Sequence, residues 1–333
     1  MSGEHYRPSM KYRPRSLSRR AAVSGLALGL AATSASARPD YPTRTITGLL
    51  GWAPGTSNDT VGRLVAEVMS RDLEVPVIID NKPGAASSVA TGLALRAPAD
   101  GYTVLFGASA MLINHILNPD QPPLRPHTEL IPVGTMVDLP FLVHVNADLP
   151  VKSLRELVEY ARTHPGHVAC GCSVTGSITH LALELIKDEC GIEIVHIPYN
   201  SPPAILPDLF AGRLQMAITA PIRQTQSRML AVTSSGRFGG LPELPSVREA
   251  LELGTYDAVA WQGLFVRNGT STEIVRRLRT ALAKATADPT VVARSIPVGG
   301  IITPGDGEAL ARLVERDLQR WQRLIQQRGI RSG

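Results

Sequence analysis

The chain has 333 residues, 44% hydrophobic and 19% charged, a globular composition whose length suits two domains of ordinary size. Its 34 basic and 29 acidic side chains give a net charge of +5. Six of those basic groups and one acid fall within residues 1–37, which leaves 28 of each beyond them. The pI near 9.3 therefore belongs to the N-terminus, and charge gives no case for a nucleic-acid or membrane-surface partner.

In chain order the first element is an export signal. Arg7, Lys11, Arg13, Arg15, Arg19 and Arg20 precede an apolar, small-residue stretch, Ala21 to Ala32, which ends at Ala35-Ser36-Ala37. A basic region, an apolar region and a small-x-small cleavage site make a secretory signal over residues 1–37 and imply a periplasmic protein. The stretch is too short for a permanent anchor. Ser18-Arg19-Arg20 resembles a twin-arginine signal without the aromatic residue usual after the pair, so general secretion is the expected route.

Strands and helices then alternate. Thr45–Trp52 reads as a buried strand, Asp59–Asp72 as a helix, Val75–Asp80 as strand, Ala86–Ala97 as helix and Tyr102–Gly107 as strand. Strands spaced by helical patterns of this length imply βαβ units and a largely parallel sheet. The pattern restarts at Phe141–Val145. Ser153, with Glu156 three residues on, predicts a capping box opening a helix to Thr163. Val168–Cys172, Glu193–Ile197, Leu214–Thr219 and Leu230–Thr233 read as strands, with helices over Ser177–Glu189 and Pro203–Ala211. Trp261–Val266 is again extended, and Thr270 with Glu273 predicts a second capping box and a helix to Ala287. A final helix over Gly307–Arg328 sets Leu310, Leu313, Val314, Leu318, Trp321, Leu324 and Ile325 on one face, a stripe read as core packing.

The expected fold is α/β: a two-lobed binding-protein architecture in which each lobe is a mixed, mostly parallel sheet flanked by helices. Residues 38–140 with 260–333 would form lobe 1 and residues 141–259 lobe 2. A ligand would sit at the carboxyl ends of the parallel strands where the lobes face each other. No internal sequence repeat stands out. Cys170 and Cys172 lie two apart on one strand face, which suits neither a mutual disulfide nor a C-x-x-C site. They read as small buried residues, with Cys190 the one partner left for a bond.

The most informative stretch is Gly51-Trp52-Ala53-Pro54-Gly55-Thr56-Ser57-Asn58-Asp59-Thr60. A strand ends, a Pro-Gly turn follows, and hydroxyl and amide side chains lead into a helix. Backbone N–H groups exposed at such a helix start cradle a carboxylate or phosphate. Asp59 reads as an N-cap, or as an acceptor for an amino or hydroxyl group of a ligand.

Taken with Tyr41-Pro42-Thr43-Arg44, Asn81-Lys82-Pro83-Gly84-Ala85, Asp100-Gly101-Tyr102-Thr103, His196-Ile197-Pro198-Tyr199, Ala231-Val232-Thr233-Ser234, Leu241-Pro242 with Pro245-Ser246-Val247, and Trp261-Gln262-Gly263-Leu264-Phe265, the series is specific. In order and spacing, over essentially the whole exported chain, it closely resembles the substrate-binding components of tripartite tricarboxylate transporters, the Bug (TctC-like) family. The resemblance implies a periplasmic receptor that closes two lobes on a small carboxylate and passes it to membrane transporter subunits. The implied binding residues are Ala53, Gly55, Thr56, Ser57 and Asp59 in one loop and Ser173, Thr175, Gly176 and Ser177 in the other, which leads into the helix carrying His180. Ser109, Tyr199, Thr219 and Trp261 would line the cleft. This chain departs from the family where Thr56 and Val174 replace glycines, where Thr219 replaces an acid, and where Tyr199-Asn200-Ser201 stands for Tyr-Lys-Gly. The segment Pro221–Arg228 is also shorter. Side chains at 56 and 174 are expected to narrow the cradle or to force unfavourable φ values.

Nothing in the residues points to catalysis, a metal or a cofactor. Gly171-Cys172-Ser173-Val174-Thr175 lacks the second glycine of a nucleophile elbow. The histidines form no H-x-x-x-H or H-E-x-x-H, and no G-x-G-x-x-G or G-K-[ST] follows a strand. The expected protein is a monomer that binds and releases. A sensor feeding a membrane signalling partner and an orphan with an altered cleft are the alternatives.

Overall fold

The structure, a computed structural model, describes residues 41–119 and 125–331; the export signal expected over residues 1–37 lies outside them. In the first lobe the chain runs β1 (Ile46–Leu50), α1 (Ser57–Leu73), β2 (Val77–Asn81), α2 (Ser88–Arg96), β3 (Thr103–Ala108), α3 (Ser109–Leu117), α4 (Pro126–Glu129) and β4 (Leu130–Leu139). It crosses to a second sheet with β5 (Leu142–Asn146), α5 (Leu154–Thr163), β6 (Ala169–Ser173), α6 (Ile178–Cys190), β7 (Val195–Tyr199), α7 (Ile205–Phe210), β8 (Met216–Thr219), β9 (Ser227–Val232) and α8 (Val247–Leu251). It returns through β10 (Ala260–Arg267), α9 (Thr272–Ala287), α10 (Pro289–Ser295), β11 (Ile301–Asp306) and α11 (Gly307–Gln327).

The first sheet has six strands in the order β11-β4-β10-β3-β1-β2, and the second has five, β7-β6-β8-β5-β9. Both are mixed, and they share a plan. In each, a first strand (β1 or β6) lies between two parallel neighbours, β2 and β3 or β7 and β8. An antiparallel strand, β10 or β5, then closes the third strand's free side. Each first strand, central among its parallel neighbours, runs straight into a loop and a helix, so the two lobes share an equivalent strand-to-helix junction at the carboxyl edge.

Helix boundaries follow local chemistry. Ser153 caps α5 by accepting from the Glu156 N–H at 3.1 Å, while the Glu156 carboxylate accepts from the Lys152 N–H rather than from Ser153 itself. The second expected cap shifts by one residue. Ser271 caps α9, accepting from the Ile274 N–H, and the Thr270 hydroxyl instead donates back to the Arg267 carbonyl. Six elements lie where the sequence pattern gives none: α3, α4, β4, α8, α10 and β11. β4 accommodates Pro132 and Gly134 through a register shift against β10, the usual place for Pro and Gly inside a sheet.

The lobes are joined by more than the two strand crossings. Leu310 and Val314 of α11 pack with Leu49, Leu105 and Trp261 of the first lobe. Trp321, Leu324 and Ile325 of the same helix pack with Val143, Cys170 and Leu181 of the second. The apolar stripe of α11 is therefore core, but core of both lobes in turn. Ile113 of α3 also enters the second lobe's core. Each of these side chains contributes about 1.5–3 kcal/mol on full burial. Cys170 and Cys172 lie side by side as free thiols, Sγ to Sγ 3.6 Å, in the same core, and Cys190 is free as well.

Candidate ligand-binding site

In the first lobe the chain leaves β1 and turns at Gly55, whose φ of +82° suits glycine. Thr56 is the N-cap of α1 and accepts from the Asp59 N–H at 3.3 Å. Asp59, the third helical residue, is therefore not the cap. Its buried carboxylate reaches back and accepts from the Gly55 N–H at 2.9 Å. The Asn81 amide donates to the same carboxylate at 2.8 Å, and Arg63 closes on both oxygens at 3.0 Å. Burial alone would raise the Asp59 pKa, but the bonds from Arg63, Asn81 and Gly55 outweigh it and hold the group below the ordinary carboxylate value. With both oxygens taken, Asp59 fixes the loop and has no free acceptor for a ligand.

The second lobe repeats this device with other residues. The chain leaves β6 at Ser173 and turns at Gly176, φ +79°. Ser177 caps α6, accepting from the His180 N–H at 3.3 Å. His180, again the third helical residue, accepts from the Gly176 N–H through Nδ1 at 3.1 Å. That bond puts the imidazole proton on Nε2, which faces Glu184 Oε1 at 3.5 Å. His196 stacks on His180 with centroids 3.8 Å apart, and its pKa is pushed down to about 4 by burial and by that neighbour. Lys187 and Arg328 each approach Glu184 at 2.8 Å. Although burial opposes it, the bonds from His180, Lys187 and Arg328 bring the Glu184 pKa down to about 2.

The glycine amides expected in the cradle are thus spent inside each loop. The amides left open are one step further on. Ser57 and Asn58 at the start of α1, and Ile178 and Thr179 at the start of α6, have no backbone partner among the described residues. Neither loop is strained by its departure from the family. Thr56 is extended, with φ −72°, and Val174 is not among the residues of positive φ; the left-handed positions are Gly55 and Gly176.

Of the other expected residues, Ala53 is exposed and accepts from the Thr56 hydroxyl, while Ser57 and Thr175 are half-buried on the two loops. Ser173 ends β6, and Ser109 opens α3, buried, at the end of β3. Thr219 ends β8, but its hydroxyl bonds Nε2 of the buried His144 at 3.1 Å. Two expectations are corrected. The Tyr199 hydroxyl donates to Asp208 at 2.5 Å, and the ring lies over Gly171 on the α7 side, so it serves the sheet edge. Trp261 is buried with Leu105 and Leu310, and its Nε1 donates to Asp317 at 2.8 Å, which makes it a core residue under α11. The sequence reading missed Arg63, Asn81 and Glu184. A signal for the shared device was present: Gly55-Thr56-x-x-Asp59 and Gly176-Ser177-x-x-His180 have the same spacing. Among the described residues no group of His, Cys, Asp and Glu side chains could hold a metal ion, and no helix is long and apolar enough to cross a membrane.

Residues 61–330 match the family described as tripartite tricarboxylate transporter family receptor. The chain belongs to that family. A curated relative from Pseudomonas sp. (strain P51), the "UPF0065 protein in tcbD-tcbE intergenic region", is 31% identical over 93% of this chain and 94% of its own length. Among solved structures, R. palustris Rpa4515 with adipate is 31% identical, has a TM-score of 0.73, and aligns over 88% of this chain and 100% of that one. MatC (Rpa3494) from Rhodopseudomonas palustris with bound malate is 25% identical, with a TM-score of 0.69, over 86% and 100% of the two chains. The receptor fold, two mixed α/β sheets flanked by helices, is therefore that of the periplasmic solute-binding proteins.

Proposed function

We propose that this receptor captures a small carboxylate between the loops 53–59 and 173–177 and delivers it to the membrane subunits of a tripartite transporter. The observation that carries the reading is the repeated junction. Each lobe sets a glycine turn, a hydroxyl cap and two unpartnered amides at the start of a helix, where partial positive charge favours an anion. Two structural relatives hold dicarboxylates, which supports the same ligand class here. Closure of the lobes satisfies a carboxylate whose burial without partners would be costly. The protein acts as an exported monomer, with residues 1–37 removed by general secretion, and it releases its ligand chemically unchanged.

A ligand that binds only the folded chain stabilises it by mass action, by about 2.7 kcal/mol at a hundred times Kd. A thermal-shift series with succinate, citrate, glutamate and benzoate should raise Tm for at least one of them. No shift with any of the four overturns the carboxylate reading.

A further inference from the structure

Among the described residues, four side chains near the first-lobe junction keep buried polar atoms without a partner: Trp52 Nε1, Asn58 Oδ1, both Nε2 and Oε1 of Gln262, and the Ser87 hydroxyl behind Gly51. Gln262 is only 1% exposed. A buried, unpaired amide is costly, so native proteins rarely keep one without a use.

The fold brings these groups to one place. Leu50 of β1 pairs with Phe106 of β3 at the last rung of that ladder, and Trp52, two residues on, packs against the cluster that holds Phe106 and Leu264. Ala108 of β3 pairs with Gln262 of β10. Gln262 shares its face of the sheet with Leu264 and Val266, whose side chains enter the core beneath α1. Gly62 of α1 sits on that face: a Cβ there would lie 2.9 Å from Leu50 and 3.6 Å from Phe106. Asn58, four residues earlier on the same helix stripe, is one turn or about 5.4 Å nearer the carboxyl edge. Two strand residues cover about the same distance, so the stripe of α1 that meets Leu50 and Phe106 at Gly62 reaches the Ala108–Gln262 pair at Asn58. Ala108 is the small residue beside Gln262 on that face.

We propose that Trp52, Asn58 and Gln262 form an inner polar subsite over Ala108 that reads a hydroxyl on the bound carboxylate; this rests on the carboxylate-receptor reading. The chemistry of the orphaned atoms selects the group. They comprise donors, Trp52 Nε1 and Gln262 Nε2, and acceptors, Asn58 Oδ1 and Gln262 Oε1. A carboxylate only accepts, and turning the Gln262 amide over still leaves its oxygen facing the negative charge. A hydroxyl donates and accepts at once. A site built to bond a hydroxyl rejects the analogue that lacks it, because its own polar groups then stay unpaired.

The test uses the purified exported chain and two ligand pairs that differ by one hydroxyl, succinate with L-malate and glutarate with 2-hydroxyglutarate. Calorimetric affinities of the wild-type chain should favour the hydroxylated member of at least one pair by about tenfold or more. Gln262→Met should collapse that ratio towards one, and Trp52→Phe should lower it. Gln262→Met should also raise Tm of the unliganded chain, by about 2 °C or more, because it removes an unpaired buried amide and keeps the volume. A fall in that Tm would make the amide structural and overturn the proposal. A wild-type chain that binds both members of each pair equally also overturns it and leaves the carboxylate reading standing. If neither member of either pair binds, the proposal is overturned, and the carboxylate reading falls with it only when citrate, glutamate and benzoate also give no thermal shift.

Discussion

The two strand-to-helix junctions have the same backbone and different supports. In both, a glycine takes the left-handed turn, a hydroxyl caps the helix, and the third helical side chain bonds the glycine N–H. In the first lobe that side chain is a carboxylate, and its partners are local, Arg63 on the same helix and Asn81 at the end of the neighbouring strand. In the second lobe it is an imidazole, and the chain of contacts runs through Glu184 to Arg328, just past the end of α11. Gly176 also faces Leu117 of α3, whereas Gly55 faces open space. The first loop is self-contained. The second is tied to α3 and to the end of α11, the two helices whose side chains enter the second lobe's core.

The glycines provide the strongest way to break that distinction. A side chain at either position strains a positive φ, at a cost of about 1–2 kcal/mol. At Gly55 nothing lies within 4 Å of a new Cβ, so Gly55→Ala should cost only that. At Gly176 the Cβ would come within 2.3 Å of Leu117 Cδ1, so the tip of that side chain must turn aside. Overpacking relieved by a flexible side chain adds about 1 kcal/mol, so Gly176→Ala should cost roughly 2–3 kcal/mol in denaturant unfolding. Equal losses at the two sites would mean that α3 does not brace the second loop.

The supports differ in a second measurable way. Asp59→Asn and Glu184→Gln each weaken a buried, hydrogen-bonded carboxylate and should cost about 2–4 kcal/mol at pH 7. Both carboxyls are held below their unfolded values, so the unfolded chain takes up protons first as the pH falls. The stabilisation is complete above the unfolded carboxylate range and drains away as the pH drops through the folded values. For Glu184→Gln the cost should shrink between about pH 4.5 and the folded value of about 2. The cost of Asp59→Asn should fade in the same direction. Unfolding free energies at pH 7 and pH 3 check both; a Glu184→Gln cost unchanged by pH would show that this carboxyl carries no charge in the fold.

Much of the scaffold around these loops is legible in the residues alone, because the signals are local. Strand-to-helix alternation gives both lobes, and the seven apolar residues of Gly307–Arg328 give the face of α11. What stayed hidden is what depends on contact at long range. The sequence cannot say that α11 changes lobe halfway, since Leu310 and Trp321 look alike as stripe residues. Trp261 reads as an aromatic cleft wall, yet one strand alternation turns it toward Asp317 and the core. Asp59 reads as a cap or as a ligand acceptor and is neither, because the arginine four residues on, the asparagine of the next strand and the Gly55 N–H take its carboxylate. The junctions repeat in structure without a recognisable repeat in sequence, since only the glycine and the hydroxyl are shared.

The smallest expected effect concerns Thr56 and Val174, the two positions where the family resemblance implies glycine. If the loops needed glycine there, Thr56 and Val174 would be strained, and Thr56→Gly or Val174→Gly would stabilise the chain. The geometry predicts the opposite. Thr56 is extended and supplies the cap of α1, and a glycine cap there is worse than threonine by only a few tenths of a kcal/mol. Val174 stands outside the positive-φ set and is 45% exposed, so its replacement removes little packing and mainly frees the unfolded backbone, at about 0.5–1 kcal/mol. Both variants should therefore unfold slightly earlier than the parent, Val174→Gly by the larger margin. A gain in stability from Val174→Gly alone would mark the second loop as strained and the first as relaxed, and would extend the contrast between the junctions from their supports to their backbones.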